Sequence, residues 1–374
     1  MDDNSIGMPR RQFLSTVERA TVGLAGSSFL LASNTAEAGV GGDSQSSRSR
    51  TERGGAEEAS WTDRTRYRFK LGMYLPELDL PFDQALAKAK QIGVEYVWFN
   101  RLADGPDIAR MSDAEADRMA ARVSQHNLKI FLLNAGNPFK TIHLTDLNVK
   151  TMGEHPAFRQ QFNDLIRSMQ IANRIGVGAV GAFSFAWPGE YTAGKPTWPM
   201  RWLTRGGVIA DIDMQKLTAA FSMVAEQAER YNVDVALSMM PWNYTNTTGH
   251  FRRLVERIGS KRLKVMWGPA DNMNSGEWDT ATAGFQNVRP YLHGLHLKDL
   301  HVVDGVRLKF EYRPIGSGDV DYEMILRSLR DHRCDVVLSL STHFRPPSGS
   351  REEAMRINYA KLSQLITKVE ATGA

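Results

Sequence analysis

Residues able to transfer protons or bind a cation lie near the ends of four short apolar runs. The runs cover residues 235–238, 265–269, 294–299 and 337–341, and the relevant residues near their ends are Ser238, Gly268, His296 and Ser341. Each run has the composition of a buried strand, so these ends are expected to meet at one face of the fold. A divalent cation at that face would need several carboxylate or imidazole ligands, and only His296 is of that type.

His296, Lys298 and Asp299 follow one another at the third of these ends. An imidazole can act as a base, and an ammonium group can stabilise negative charge that develops beside a carbonyl. His296 and Lys298 are therefore candidate catalytic residues, and His343 is a second imidazole that could face the same cavity. The alternatives are a structural histidine among the strand ends and a solvated lysine. Asp299 is expected to cap the following turn.

Two further carboxylates could serve the same region. Asp271, with Asn272 beside it, follows Gly268 closely enough to offer an oxygen ligand from a shifted position. Glu77 follows the first predicted strand. Turn formation at the neighbouring prolines explains these residues equally well, so the sequence leaves both interpretations open.

Tryptophan is concentrated around the predicted strand ends. Trp98, Trp242 and Trp267 lie at or just past strand ends, and Trp187, Trp198 and Trp202 lie in a loop from residue 184 to about 210. Loops of this length are usually functional or disordered, and the aromatic content argues against disorder. Aromatic faces pack well against the apolar faces of sugar rings, so all six are candidate substrate-binding residues. The alternative is that they pack the loop onto the rim of the fold.

The elements that must position these residues alternate along the chain. Strands are predicted at residues 68–75, 94–99, 128–134, 177–183, 233–239, 263–267, 291–297 and 335–341, with amphipathic helices between them. A capping box at residues 112–115 opens one helix, and Ser350 begins the last. This pattern predicts a single (β/α)8 barrel of class α/β with a long aromatic-rich loop after strand 4. A doubly wound sheet usually has a glycine-rich turn after its first strand, and residues 71–77 contain none.

From about Phe69 onward the chain resembles the xylose-isomerase-like barrel superfamily of sugar isomerases and epimerases. The matching segments are residues 296–299, residues 314–321, and the closing strand with its Glu-Glu-Ala helix start. The resemblance implies a (β/α)8 barrel that acts on a small-molecule carbohydrate. In metal-dependent members, Glu, Asp, His and Glu stand near the ends of strands five to eight. Carried over by position, these ligands fall on Ser238, Gly268, His296 and Ser341.

The resemblance therefore implies a degenerate metal site, and we expect neither a bound metal nor another cofactor. Three functions stay open. The first is an exported isomerase, epimerase or lyase that works without the usual metal, and the second is a non-catalytic barrel that binds a carbohydrate or a partner. The third is a metal enzyme with a ligand set relocated to Asp271, His296 and His343. The DNA-repair branch of the superfamily fits poorly, because its multi-zinc site needs many more His and acidic ligands.

Composition and the N-terminus limit the partners and the location. The 374 residues include 46 Lys and Arg against 42 Asp and Glu, a balance that argues against nucleic-acid binding. The single Cys334 excludes a disulfide framework, and no membrane anchor is predicted. Arg10 and Arg11, an apolar stretch and Ala36-Glu-Ala38 resemble a twin-arginine signal peptide. We predict a signal peptide at 1–38, a flexible linker at 39–65, a barrel at 66–374, and a periplasmic or secreted protein of unspecified oligomeric state.

We expect the mature protein to begin near Gly39, because the Ala36-Glu-Ala38 sequence has the small residues that signal peptidase cleavage requires. N-terminal sequencing of the exported protein checks this. Exported material that retains Arg10 and Arg11, or a native protein that stays in the cytoplasm, would contradict it.

Overall fold

The computed structural model describes residues 67–187, 191–192, 195–196, 207–305 and 309–372. A closed barrel of eight parallel strands forms its centre. The strands are β1 Lys70–Tyr74, β2 Tyr96–Phe99, β3 Lys129–Leu133, β4 Ala179–Phe183, β5 Asp234–Ser238, β6 Leu263–Trp267, β7 Leu292–Leu297 and β8 Val337–Leu340. Each strand pairs with the next along the chain, and β8 pairs with β1. The predicted fold class is confirmed.

Helices on the outside of the barrel connect these strands. They are α1 Phe82–Ile92, α2 Asp113–Gln125, α3 Pro156–Ile175, α4 Asp211–Tyr231, α5 Thr248–Ile258, α6 Pro269–Asn274, α7 Phe285–Val288, α8 Tyr322–Asp331 and α9 Arg351–Ala371. The predicted capping box is present, because Ser112 and Glu115 each accept a hydrogen bond from the other's backbone N–H. At the start of α9, Ser350 Oγ accepts a hydrogen bond from the Glu353 backbone N–H at 3.2 Å. Local sequence signals therefore determine where these helices begin.

Apolar side chains fill the interior of the barrel. One buried cluster combines Trp98, Phe131, Leu132, Ala179, Ala236, Met266 and Val337, which come from six of the eight strands. A second and larger cluster packs the outer faces of the strands against the helices. Because the interior is filled, a ligand must bind at an end of the barrel rather than pass through it.

The connection after β7 is held by one carboxylate. A hairpin of Asp299–Asp304 and Lys309–Arg313 follows the strand. The Asp299 side chain accepts backbone hydrogen bonds from Leu300, Gly316, Gly318 and Val320, at 2.8, 2.9, 3.0 and 3.3 Å. Asp299 thus caps this turn, as the sequence predicts. These four hydrogen bonds hold Asp299 in place, and Asp299 directly follows Lys298 in the chain.

Several predictions fall outside the described residues. Residues 1–66 are among these, so the signal peptide and the linker stay predictions. In the loop after β4, Tyr191–Thr192 pairs with Lys195–Pro196. Trp198 and Trp202 lie outside the described part of that loop. Among the described helices, none has both the length and the apolar character that a membrane crossing requires.

We expect Gly318→Ala to destabilise the barrel by about 1–3 kcal/mol, the usual cost of overpacking. A Cβ atom there would lie 2.3 Å from Asp299 Oδ1 and 2.4 Å from the Leu300 carbonyl oxygen. Urea unfolding gives the free energy. The matched control is Gly249→Ala in α5, where a Cβ meets nothing within 4 Å and alanine should stabilise the helix by about 0.5–1 kcal/mol. Equal stability of Gly318→Ala and wild type would contradict the Asp299 contacts.

Candidate functional site

A cavity of about 190 Å³ opens at the carboxyl ends of the barrel strands. This volume is below the roughly 300–1,000 Å³ that is usual for pockets that bind drug-sized ligands, so the cavity suits a small molecule. The residues that line it and carry ionisable or hydroxyl groups include Glu77, Ser238, Asp271, His296, Lys298 and Ser341. The carboxyl end is where barrels of this class build their sites, because several strand ends converge there.

A buried ion pair lies in this cavity. Lys298 Nζ is 3.0 Å from Asp271 Oδ1, and the two side chains are only 3% and 4% exposed. Burial raises the pKa of the Asp271 carboxyl, and the neighbouring ammonium group opposes that rise. Within the described part of the chain, Asp271 Oδ2 has no hydrogen-bond partner. One oxygen of this carboxylate therefore binds the lysine, and the other can accept a hydrogen bond from a ligand.

Two carboxylates from outside the strands lie beside the ends that lack an acidic residue. A Cβ atom on Gly268 would lie 2.6 Å from Asp271 Oδ2, so the Asp271 carboxylate fills the space that a larger residue 268 would need. Ser341 Oγ donates a hydrogen bond to Glu77 Oε1 at 3.1 Å. Burial raises the pKa of Glu77, while Ser341 and then Lys298 lower it. The short helical segments that follow β6 and β1 thus supply acidic groups beside these two strand ends.

The three predicted catalytic residues line the same cavity. His296 is 6% exposed, and burial followed by the charge of Lys298 holds its pKa well below the usual value. The ring is therefore neutral, and its Nε2 has no hydrogen-bond partner among the described residues. His343 lies exposed at the rim, with its ring 4.8 Å from that of Tyr312. The structure brings His296, Lys298 and His343 together, and their catalytic role stays a prediction.

Two of the predicted tryptophans line the cavity. Trp98 donates a hydrogen bond to Ser339 Oγ at 2.8 Å, and its ring lies 4.3 Å from that of Tyr74. Trp242 is half-buried, and Lys140 Nζ lies 5.5 Å from the centre of its ring. These rings can offer a face or an edge to a sugar.

Two other tryptophans lie away from the cavity, and their predicted ligand contact is corrected. Trp187 is buried, with its ring stacked 4.1 Å from Tyr244. Trp267 is completely buried on the outer side of β6 and donates a hydrogen bond to Asn272 Oδ1 at 2.9 Å. Asn272 is occupied by this bond and by its own bond to the Asn246 carbonyl oxygen. It therefore serves packing and is not a shifted ligand.

The sequence analysis missed a polar wall on the opposite side of the cavity. Tyr74 Oη donates to Asn100 Oδ1 at 2.6 Å, and Asn100 Nδ2 donates to Asn137 Oδ1 at 3.2 Å. Lys140 and Tyr312 also line the cavity. Asn100 directly follows β2, so a comparison of polar residues after the first three strands would have found it. Tyr312 comes from the hairpin, and no pattern in the sequence indicates its position.

A family model for the xylose isomerase-like TIM barrel matches residues 86–361. The chain belongs to this family. No curated protein matches the chain by sequence.

Solved structures similar to this barrel are distant in sequence. A xylose isomerase domain protein from Planctomyces limnophilus has a TM-score of 0.59 and 15% identity, over 80% of this chain and 98% of the other. An L-ribulose 3-epimerase has a TM-score of 0.59 and 14% identity, over 82% and 97%. A xylose isomerase-like TIM barrel protein from Mycobacterium smegmatis, in complex with magnesium, has a TM-score of 0.55 and 14% identity, over 81% and 97%. At this identity they show a shared fold.

The donor set in this family member does not fit a divalent cation. Ser238, Gly268 and Ser341 contribute no carboxylate or imidazole at their strand ends. Lys298 places a positive charge against Asp271, where a cation would have to bind. Throughout the described residues, no three His, Cys, Asp or Glu side chains are arranged to hold a metal ion. The relocated set of Asp271, His296 and His343 therefore does not form a metal site here.

A buried polar network supports the segment that presents Trp242. Ser184 Oγ and Thr245 Oγ1 are 2.6 Å apart, and Ser184 also accepts a bond from the Thr245 backbone N–H. Asn246 Oδ1 is 2.9 Å from His250 Nδ1. Burial, with a smaller effect of Arg253, lowers the pKa of His250 to about 4.

We expect the free energy of unfolding to fall as the pH is lowered from 7 to 5, with His250 contributing about 2 kcal/mol. In this range the unfolded chain binds a proton at His250 and the folded chain does not, so stability is lost below the unfolded pKa. Urea titrations of wild type and His250→Gln at several pH values measure the effect. A variant with the same pH dependence as wild type would contradict it.

Proposed function

We propose that this barrel binds a monosaccharide-sized carbohydrate and transfers protons beside its carbonyl group, as an isomerase or epimerase does, without a divalent metal. The observation that supports this most is the buried pair of Lys298 and Asp271, which lies among His296 and Glu77 in the cavity. A similar fold in an L-ribulose 3-epimerase supports the choice of substrate class. We also propose that the protein is exported, on the basis of the signal-like N-terminus.

The cavity has the groups that sugar recognition needs. Trp98 and Trp242 offer aromatic surface, which suits the apolar face of a sugar ring. Asp271 Oδ2 can accept a hydrogen bond from a hydroxyl group, and neutral His296 Nε2 can bond a hydroxyl or carbonyl oxygen. Asn100 can orient hydroxyls on the other side. A neutral sugar would satisfy buried polar atoms that otherwise lose hydrogen bonding.

The proposed chemistry assigns one role each to Glu77, Lys298 and His296. Removal of a proton next to a carbonyl needs a base and a positive group that stabilises the enediolate. Glu77 is the base in this proposal, because burial raises its pKa above that of an exposed glutamate. Lys298 stabilises the enediolate oxygen, and His296 donates or accepts a hydrogen bond at the adjacent oxygen. Ser341 positions Glu77 through its hydrogen bond.

A second candidate is a barrel that binds a carbohydrate without converting it. The observation in its favour is Ser238, which is 2% exposed and puts a hydroxyl group, not a carboxylate, at the end of β5. A metal-dependent relative would have an acidic residue at this strand end, by the family resemblance. The two candidates differ in one measurable property, the exchange of a substrate proton with solvent.

We expect a thermal-shift screen with L-ribulose, D-tagatose, D-fructose and D-glucuronate to find a ligand, since a ligand specific to the folded state raises its apparent stability. Trp242→Ala should weaken binding of that sugar by about 1–2 kcal/mol, because a stacked ring is lost. The matched control is Trp278→Ala, which removes a tryptophan that is 57% exposed and lies outside the cavity lining.

Incubation of the bound ketose in D2O separates the two candidates. Carbon-bound deuterium that appears with wild type and is lost with Glu77→Gln or His296→Asn, while binding persists, supports the enzyme. Binding without any exchange supports the non-catalytic barrel. A screen in which no sugar binds, or binding that Trp242→Ala leaves unchanged, contradicts the proposed recognition.

A further inference from the structure

We propose that the Tyr312 hydroxyl group donates a hydrogen bond to the sugar oxygen that becomes negatively charged when Glu77 removes the neighbouring proton. Tyr312 then acts beside Lys298 as a second, uncharged donor. The inference deepens the proposed function and rests on it. Tyr312 lies outside residues 296–299 and 314–321, the segments that resemble the family, so the resemblance assigns it no role.

The hairpin after β7 holds Tyr312 at the cavity. In the antiparallel pairing of the hairpin, Tyr312 lies opposite Leu300, which is completely buried. The backbone N–H of Leu300 donates a hydrogen bond to Asp299 Oδ1 at 2.8 Å. The ring of Tyr312 lies 5.3 Å from the ring of Phe310 and 4.8 Å from the ring of His343. Strand pairing and ring contacts thus fix this side chain where it lines the cavity.

The hydroxyl group of Tyr312 differs from those of two other tyrosines near the site. Tyr74 Oη donates its proton to Asn100 Oδ1 at 2.6 Å. Tyr322 Oη donates its proton to the Lys298 carbonyl oxygen at 2.6 Å. Within the described residues, Tyr312 Oη forms no hydrogen bond. A phenol has one proton to donate, so Tyr312 can direct it to a ligand oxygen in the cavity.

The charges around Tyr312 make it a donor and not a base. Burial raises the pKa of its hydroxyl group, and the negative charges of Asp271 and Glu77 raise it further. A phenolate at this position would be both desolvated and repelled by the two carboxylates. The phenol therefore keeps its proton, which is the state that can stabilise negative charge on a ligand.

The two carboxylates do not oppose that stabilisation during the reaction. Glu77 becomes neutral when it takes the carbon-bound proton. Asp271 is balanced by Lys298, whose Nζ lies 3.0 Å from its Oδ1. The same pair also limits what Lys298 can do alone, because its charge is already compensated and one of its three N–H donors is engaged. An uncharged donor adds stabilisation without adding another buried charge.

The step that Tyr312 assists transfers one proton. Glu77 takes the proton from the carbon next to the carbonyl group, and the electron pair of that C–H bond forms the carbon–carbon double bond. The electron pair of the carbonyl double bond moves to its oxygen, which then carries the negative charge. Tyr312 keeps its own proton throughout. In the reverse step Glu77 returns its proton to a carbon, and the oxygen regains its double bond.

Removal of one oxygen atom tests this role. Tyr312→Phe deletes the hydroxyl group and keeps the ring that packs against Phe310 and His343. The matched control is Tyr359→Phe in α9, which deletes a hydroxyl that donates to the Gly93 carbonyl oxygen and lies outside the cavity lining. For wild type and both variants, calorimetry gives the Kd of L-ribulose, D-tagatose and D-fructose. Incubation with the same ketoses in D2O gives the rate at which carbon-bound deuterium appears, and urea gives the unfolding midpoint.

We expect Tyr312→Phe to lower the deuterium incorporation rate at saturating ketose by about 100-fold, the usual effect of losing one donor to a developing oxyanion. The Kd should rise by less than about tenfold, because only one hydrogen bond is lost from the bound sugar. The unfolding midpoint should stay at the wild-type value. Tyr359→Phe should exchange deuterium at the wild-type rate. Ultraviolet titration up to pH of about 10, the usual pKa of tyrosine, should show equal phenolate in wild type and Tyr312→Phe.

A Tyr312→Phe protein that exchanges deuterium at the wild-type rate overturns the inference and leaves the proposed function standing. The same holds if this variant unfolds at clearly lower urea, which would make the hydroxyl a structural group, or if wild type forms one more phenolate than the variant in the titration. Wild type that binds a ketose without exchange, or binds none of the three, contradicts the proposed reaction and overturns the inference with it. The wild-type result therefore distinguishes the two kinds of failure.

Discussion

A buried ammonium group requires a carboxylate next to it, and the residues at the carboxyl ends of the barrel strands are arranged to meet that requirement. Lys298 and Asp271 are almost completely removed from water and lie 3.0 Å apart. Because both groups are buried, loss of either partner would strongly lower the free energy of unfolding, whatever the net contribution of the pair to stability. Gly268 leaves space for Asp271, and the turn held by Asp299 fixes the chain beside Lys298. This pair fixes the charges on the side of the cavity formed by β6 and β7.

The barrel fold allows substitutions at a few strand ends and connections to alter the chemistry of the cavity. Parallel strands deliver their last residues to one face, while the packed interior fixes the strand positions. The loops that follow can then supply side chains from new positions without changes to the barrel. Asp271 lies in the short helix α6 after β6, and Glu77 lies in a 3-10 turn after β1. The fold therefore preserves the location of the cavity and leaves its chemistry to short connecting segments.

Much of the fold and part of the site could be predicted from the sequence. Alternating apolar runs and amphipathic segments located all eight strands, and their shared direction indicated that His296 and Lys298 would meet. The error at Trp267 has a simple cause, because successive residues of a strand face opposite sides. Met266 points into the barrel, so Trp267 must point outward. The pairing of Asp271 with Lys298 depends on the direction that helix α6 takes after β6, which sequence periodicity does not encode.

The close approach of Gly268 and Asp271 also restricts how such a protein can change over generations. An aspartate at position 268 would push the Asp271 carboxylate aside and leave the Lys298 ammonium group without its partner. Loss of Asp271 first would leave Lys298 buried without a counterion. A substitution at either position therefore disturbs the same ion pair, so residues 268 and 271 are expected to vary together in proteins that keep this lysine.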